Sequence, residues 1–124
     1  MNDASKKTRF LSELSCAFGP TPDTPRSGTI TSIGPKECFV KTKAIVIEGQ
    51  HLHLRVWTPA NCWLRLAGRV KYHMERVGFG VVFQDLSDEQ LTDLARLVEQ
   101  LRRQHLARQE EETDDDMAGV TAFN

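Results

Sequence analysis

Residues 51–73 constrain this chain more than any other stretch. Leu52, Leu54 and Val56 alternate with His51, His53, Arg55 and Trp57, and after Thr58-Pro-Ala-Asn61 the residues Leu64, Leu66, Val70 and Tyr72 alternate with Trp63, Arg65, Arg69, Lys71 and His73. A period of two on both sides of a short break bearing Pro and Asn is an antiparallel hairpin with one apolar and one polar face. With the turn centred on Ala60, Trp57 faces Trp63 and Arg55 faces Arg65. Like charges directly opposite one another are unfavourable, so the arginine pair calls for an acid or a phosphate from outside the hairpin. Arg55, Trp57, Trp63 and Arg65, with Arg69, Lys71 and His51 on the same side, form an aromatic-basic face suited to an acidic protein partner or to stacked bases. The competing reading is that the tryptophans are ordinary core, covered by another part of the chain.

The rest of the chain repeats the strand signal in shorter pieces. Phe10 to Phe18 has an imperfect period of two. The stretch from Gly19 to Gly28 holds three prolines between two glycines and reads as a loop. Strands are expected over about Thr29 to Ile33 and Glu37 to Lys41, separated by a Gly34-Pro35 turn. Ile45 to Ile47 is a brief apolar run ended by Gly49, and Gly78 to Phe83 supplies a sixth strand. Ser87-Asp-Glu-Gln90 is a capping box, the Ser87 oxygen accepting the Gln90 amide. A helix follows to about Ala107, with Leu91, Leu94, Ala95, Val98 and Leu101 as its apolar stripe. Six strands and one helix in 124 residues predict an all-β domain with a terminal helix: a closed or split antiparallel barrel, plugged or flanked by that helix.

Charge and cysteine content narrow the function classes. Six of the seventeen acids fall in Glu110 to Asp116, while all sixteen Lys and Arg precede Gln109. Against eleven acids, those sixteen leave residues 1–109 at a net +5, well short of a dedicated duplex binder. The acidic run reads as a solvated tail. No window approaches the about 18 apolar residues of a membrane span, and no signal core follows Lys6, Lys7 and Arg9, so the chain is expected to be cytoplasmic. Cys16, Cys38 and Cys62 are odd in number and form no Cys-x-x-Cys, which argues against a disulfide framework or structural zinc and for reduced, mostly buried thiols. His51-x-His53 has a spacing that lets two imidazoles share a metal, but no Asp, Glu or Cys lies beside it, so unliganded histidines are expected. Gly78-Phe-Gly80 opens a strand, which excludes a dinucleotide fingerprint. No nucleophile stands at a motif's spacing from a base, and no carboxylate pair lies in a folded segment; a non-enzyme is expected.

The order of features resembles the PilZ domain, the bacterial cyclic di-GMP receptor family, over roughly Lys6 to Arg103. The likeness rests on Gly49 before the alternating strand, Gly68-Arg69-Val70 inside the long one, Val77-Gly-Phe-Gly-Val-Val-Phe83, and the Leu-rich closing helix. The chain is then expected to comprise a basic segment over 1–9, a barrel with its helix over 10–107 and an acidic, disordered tail over 108–124. The family's Arg-x-x-x-Arg places its second arginine at Arg9 and its first at Ser5, beside Lys6 and Lys7; a shifted register offers Arg26 instead. The Asp/Asn-x-Ser-x-x-Gly motif falls with its acid or amide at Ser32, its serine at Gly34 and its glycine at Glu37. None of these three matches in type. Each lost charged hydrogen bond costs about 1.5–3 kcal/mol, so two or three losses weaken binding by several powers of ten. The resemblance therefore implies a regulatory adaptor of the cyclic di-GMP signalling class that works by contact with another protein, of signalling or motility type, or with a second copy of itself. No cofactor is required, and cyclic di-GMP is at most a weak ligand. The alternatives are a genuine cyclic di-GMP receptor using Arg9 and its basic neighbours and, further down, a barrel for single-stranded nucleic acid.

Overall fold

The computed structural model describes residues 9–123, with side chains as far as Ala107. Six strands, β1 (Phe10–Gly19), β2 (Arg26–Ile33), β3 (Glu37–Lys41), β4 (His51–Trp57), β5 (Trp63–Met74) and β6 (Gly78–Phe83), precede one helix, α1 (Asp88–Phe123). Every strand pair is antiparallel, and the sheet closes on itself in the order β1-β2-β3-β6-β5-β4. The closing seam joins β1 to β4, with Cys16 opposite Val56 and Phe18 opposite Leu54. Closure removes the sheet edges that a split barrel would leave.

Alternation explains the interior. Leu52, Leu54 and Val56 of β4 and Leu64, Leu66 and Val70 of β5 all point inward and are buried, where they meet Cys16, Phe18, Ile30, Cys38, Val40 and Val81. Phe18 and Phe79 pack edge to face at the centre, ring centroids 5.1 Å apart. The imperfect period of β1 is a bulge: the register shifts between Leu11 and Leu14, and there the Ser12 hydroxyl donates to the Ile30 carbonyl at 2.7 Å.

Three expectations need correction. The proline loop is shorter than Gly19 to Gly28, because Arg26, Ser27 and Gly28 pair with Phe18, Ala17 and Cys16. Gly28 is not a turn residue; a Cβ there would sit 2.9 Å from Val40 Cγ1, so the glycine lets β2 pass close to β3. On the helix, Leu94, Leu97 and Leu101 are the buried residues, Val98 is half-buried, and Leu91 and Ala95 are exposed. The capping box sets that phase: the Gln90 amide donates to Ser87 Oγ at 3.1 Å, its Oε1 accepts from the Ser87 amide at 2.8 Å, and its Nε2 donates to the Arg65 carbonyl at 2.8 Å. Gln90 thus faces the barrel, and positions 94, 97 and 101 follow it on the same face. Finally, α1 continues past Ala107 to Phe123, a stretch with no proline to end it. Among the described residues no helix is long and apolar enough to cross a membrane.

Candidate functional site

The β2–β3 turn carries the degenerate nucleotide positions. Ser32 pairs with Phe39 on β3 and Leu11 on β1, and the Gly34 amide donates to the Glu37 carbonyl at 2.9 Å to close the turn. Glu37 opens β3 opposite Val82 of β6. Its Oε1 lies 3.8 Å from Arg9 Nη1 and 3.4 Å from Lys71 Nζ, so one carboxylate oxygen engages two cations. The Glu37 side chain is about one-third exposed, as is that of Arg9. Such pairs contribute little to stability, but they decide what else those cations can bind.

Lys71 is the member of this cluster that sequence reasoning put elsewhere, on the aromatic-basic face. The three residues come from just before β1, the start of β3 and the far part of β5, so no local pattern could bring them together. Ser5, Lys6 and Lys7 lie outside the described residues. Arg26 lies at the other end of β2, where it pairs with Phe18 and its Nη1 donates to the Ile45 carbonyl at 3.1 Å.

A second cluster occupies the other end of β5. Trp57 pairs with Trp63 and Arg55 with Arg65, as the hairpin arithmetic requires. The turn between them is held by the Thr58 amide and hydroxyl, both donating to the Cys62 carbonyl at 2.9 Å, and by Asn61 at a φ of 62°. Asn accepts that left-handed conformation at low cost. The tryptophan rings meet edge to face at 5.0 Å, 39% and 45% exposed, so the helix does not cover them as core. The Arg55 guanidinium carbon lies 4.5 Å from the Trp63 ring centroid, within the range of a cation–π contact. Arg65 Nη1 donates to the Pro22 carbonyl at 3.2 Å. Among the described residues no carboxylate lies within 4.0 Å of either arginine, and the buried Nε of Arg55 has no hydrogen-bond partner.

The face is narrower than its sequence suggested. Arg69 donates to the Gly49 carbonyl at 2.8 Å and to Gln84 at 3.1 Å, Lys71 turns to Glu37, and His51 meets His53 edge to face at 5.2 Å. Beside Trp63 a cleft of about 170 Å³ opens between the turn and α1, lined in part by Cys62, Leu64, Arg96 and Leu97. Among the described residues no three His, Cys, Asp or Glu are gathered as metal ligands. The two clusters are eight residues apart on β5, about 26 Å at strand rise.

A small closed six-stranded barrel with a C-terminal helix across one end, and two polar clusters on its outer surface, defines the class of domain. It is the PilZ fold. The Bacillus subtilis inhibitor of motility, MotI/DgrA, superposes with a TM-score of 0.65 at 12% identity, over 81% of this chain and 50% of that one. The PilZ domain of CeSA from a cellulose-synthesising bacterium gives 0.62 at 16% identity, over 76% and 97%. The PilZ domain of Escherichia coli YcgR, solved with c-di-GMP, gives 0.61 at 12% identity, over 84% and 94%. The chain therefore spans nearly all of the isolated PilZ domains but about half the length of MotI/DgrA. No protein-family model and no curated protein matches it.

Proposed function

We propose that this chain is a regulatory adaptor domain of the cyclic di-GMP signalling class that acts through protein contact at Arg55, Trp57, Trp63 and Arg65 and binds the nucleotide weakly or not at all. The observation that carries this reading is Glu37. A cyclic dinucleotide presents anionic phosphates and guanine edges, and the guanidinium fork of Arg9 suits both. Here a carboxylate of the chain already sits within ion-pair range of Arg9 and Lys71, so an incoming phosphate meets a like charge at the place where the cations are. Ser32 offers a hydroxyl where a carboxylate would hold the donor edge of guanine, which adds to the loss. The likeness to PilZ domains supports the signalling class, and the exposed tryptophan–arginine cluster supports the protein contact.

The deciding experiment is calorimetric titration of the full chain with cyclic di-GMP. No saturable heat is expected in the low micromolar range for the wild type. Introducing Ser5→Arg, Ser32→Asp, Gly34→Ser and Glu37→Gly together is expected to create binding. A wild-type chain that binds at low micromolar concentration, with Arg9→Ala abolishing it, would instead establish a genuine receptor.

A further inference from the structure

The Arg55–Arg65 cross-strand pair is a cost to the free domain, and no carboxylate among the described residues neutralises it. The two guanidinium groups sit opposite one another on the hairpin, and no described carboxylate is within ion-pair distance. Arg55 is further constrained, its Nε buried without a partner and its guanidinium laid over Trp63. Two exposed tryptophans and the cleft beside Trp63 give this cationic pair an apolar frame. Tryptophan and arginine in that arrangement are the residues on which interface energies concentrate, and what they lack is an anion.

The same sequence carries that anion. Glu110-Glu-Glu-Thr-Asp-Asp-Asp116 places six acids in seven residues, with no Lys or Arg after Arg108. A chain whose residues 1–109 carry +5 and whose remainder carries −6 is complementary to a second copy of itself. The fold also decides between contact within one chain and contact between two. Gln90, at the start of α1, is bonded to the Arg65 carbonyl, and Glu110 is twenty residues further along the same helix, about 30 Å away. While α1 is continuous, a protomer cannot bring its own acidic run back to its own arginines. A second protomer can, and the exchange is reciprocal, as a two-fold dimer requires.

From this we infer that the Arg55–Trp57–Trp63–Arg65 face is a self-association surface, occupied by the Glu110–Asp116 run of a second copy. The inference rests on the protein-contact half of the proposed function and names the partner; it is independent of whether cyclic di-GMP binds. Another acidic protein is the competing occupant, and it predicts a chain that stays monomeric by itself.

The test is sedimentation velocity of the full chain over a concentration series at low and at high salt, read alongside tryptophan emission. Trp57 and Trp63 are the sequence's two tryptophans, so the emission reports on this face alone. A dimer at low salt that dissociates at high salt is expected, with emission shifting to the blue as the dimer forms. Arg55→Glu with Arg65→Glu is expected to raise the dimer dissociation constant about tenfold or more, as loss of close interfacial charge pairs does. Because that pair lies on the barrel, Glu111→Lys with Asp115→Lys provides an independent variant outside it, and the same loss is expected. Combining the two sets reverses both charges and should restore association. A wild type that is monomeric throughout, a dimer unaffected by either set, or a combination that stays as weak as each alone overturns the inference, while the nucleotide titration stands or falls separately.

Discussion

The three cysteines occupy three chemically different places. Cys16 and Cys38 point into the barrel, whereas Cys62 lies exposed in the β4–β5 turn with its Sγ 3.4 Å from Thr58 Oγ1. Burial pushes the Cys16 thiol from its ordinary 9.0 up to about 12, and it raises that of Cys38 as well, with Cys16 nearby adding to the rise. Since the thiolate is the nucleophile, both core thiols are inert in the folded chain. With a disulfide reagent near neutral pH, Cys62 is expected to react at once and the other two only on unfolding; Cys62→Ser should abolish the fast phase. The same burial sets the direction of a pH effect. A thiol kept neutral in the fold but free to ionise when unfolded lets the unfolded state release protons first, so its contribution to stability is intact below 9.0 and is lost as pH rises toward about 12. Glu37 did not read as a partner of Arg9 and Lys71, because its role depends on which distant strands it meets.

At the scale of the element, α1 is held by a short stripe. Leu94, Leu97 and Leu101 are each at most 5% exposed, and Leu91 is 47% exposed. Removing a buried leucine loses transfer energy and leaves a cavity, so Leu94→Ala or Leu97→Ala is expected to lower stability by about 2–5 kcal/mol, and Leu91→Ala by no more than about 0.5 kcal/mol. Chemical denaturation of the three variants decides it; equal effects at 91 and 97 would place the stripe on the face that the sequence suggested. Spacings of three and four made the helix legible, but they fit two adjacent phases, one through Leu91 and Val98 and one through Leu97. What selects between them is the Gln90 bond to the Arg65 carbonyl, a tertiary contact with no local signature. The hairpin suffered no such ambiguity, since a tight turn fixes the register and one slip would have turned Leu52, Leu54 and Val56 out of the core.

For the molecule as a whole, closure of the barrel separates stability from function. The interior is one contiguous apolar cluster drawn from all six strands and capped by Leu94, Leu97 and Leu101, so the residues that fold the chain end at Leu101 or shortly after, where His105 still meets Phe10 with ring centroids 5.9 Å apart. Beyond that point the sequence offers six acids and little apolar area, so the continuation of α1 adds little burial to the core. Deleting residues 110–124 is therefore expected to leave the melting temperature nearly unchanged when measured in dilute, high-salt solution, where contacts between copies are screened. The same deletion measured in concentrated, low-salt solution should lose whatever extra stability association confers, because a partner that binds only the folded chain raises its apparent stability by mass action. A large drop in the dilute, high-salt measurement would mean that the acidic run is part of the folded core, and that the division at Leu101 between the part that folds and the part that associates is drawn in the wrong place.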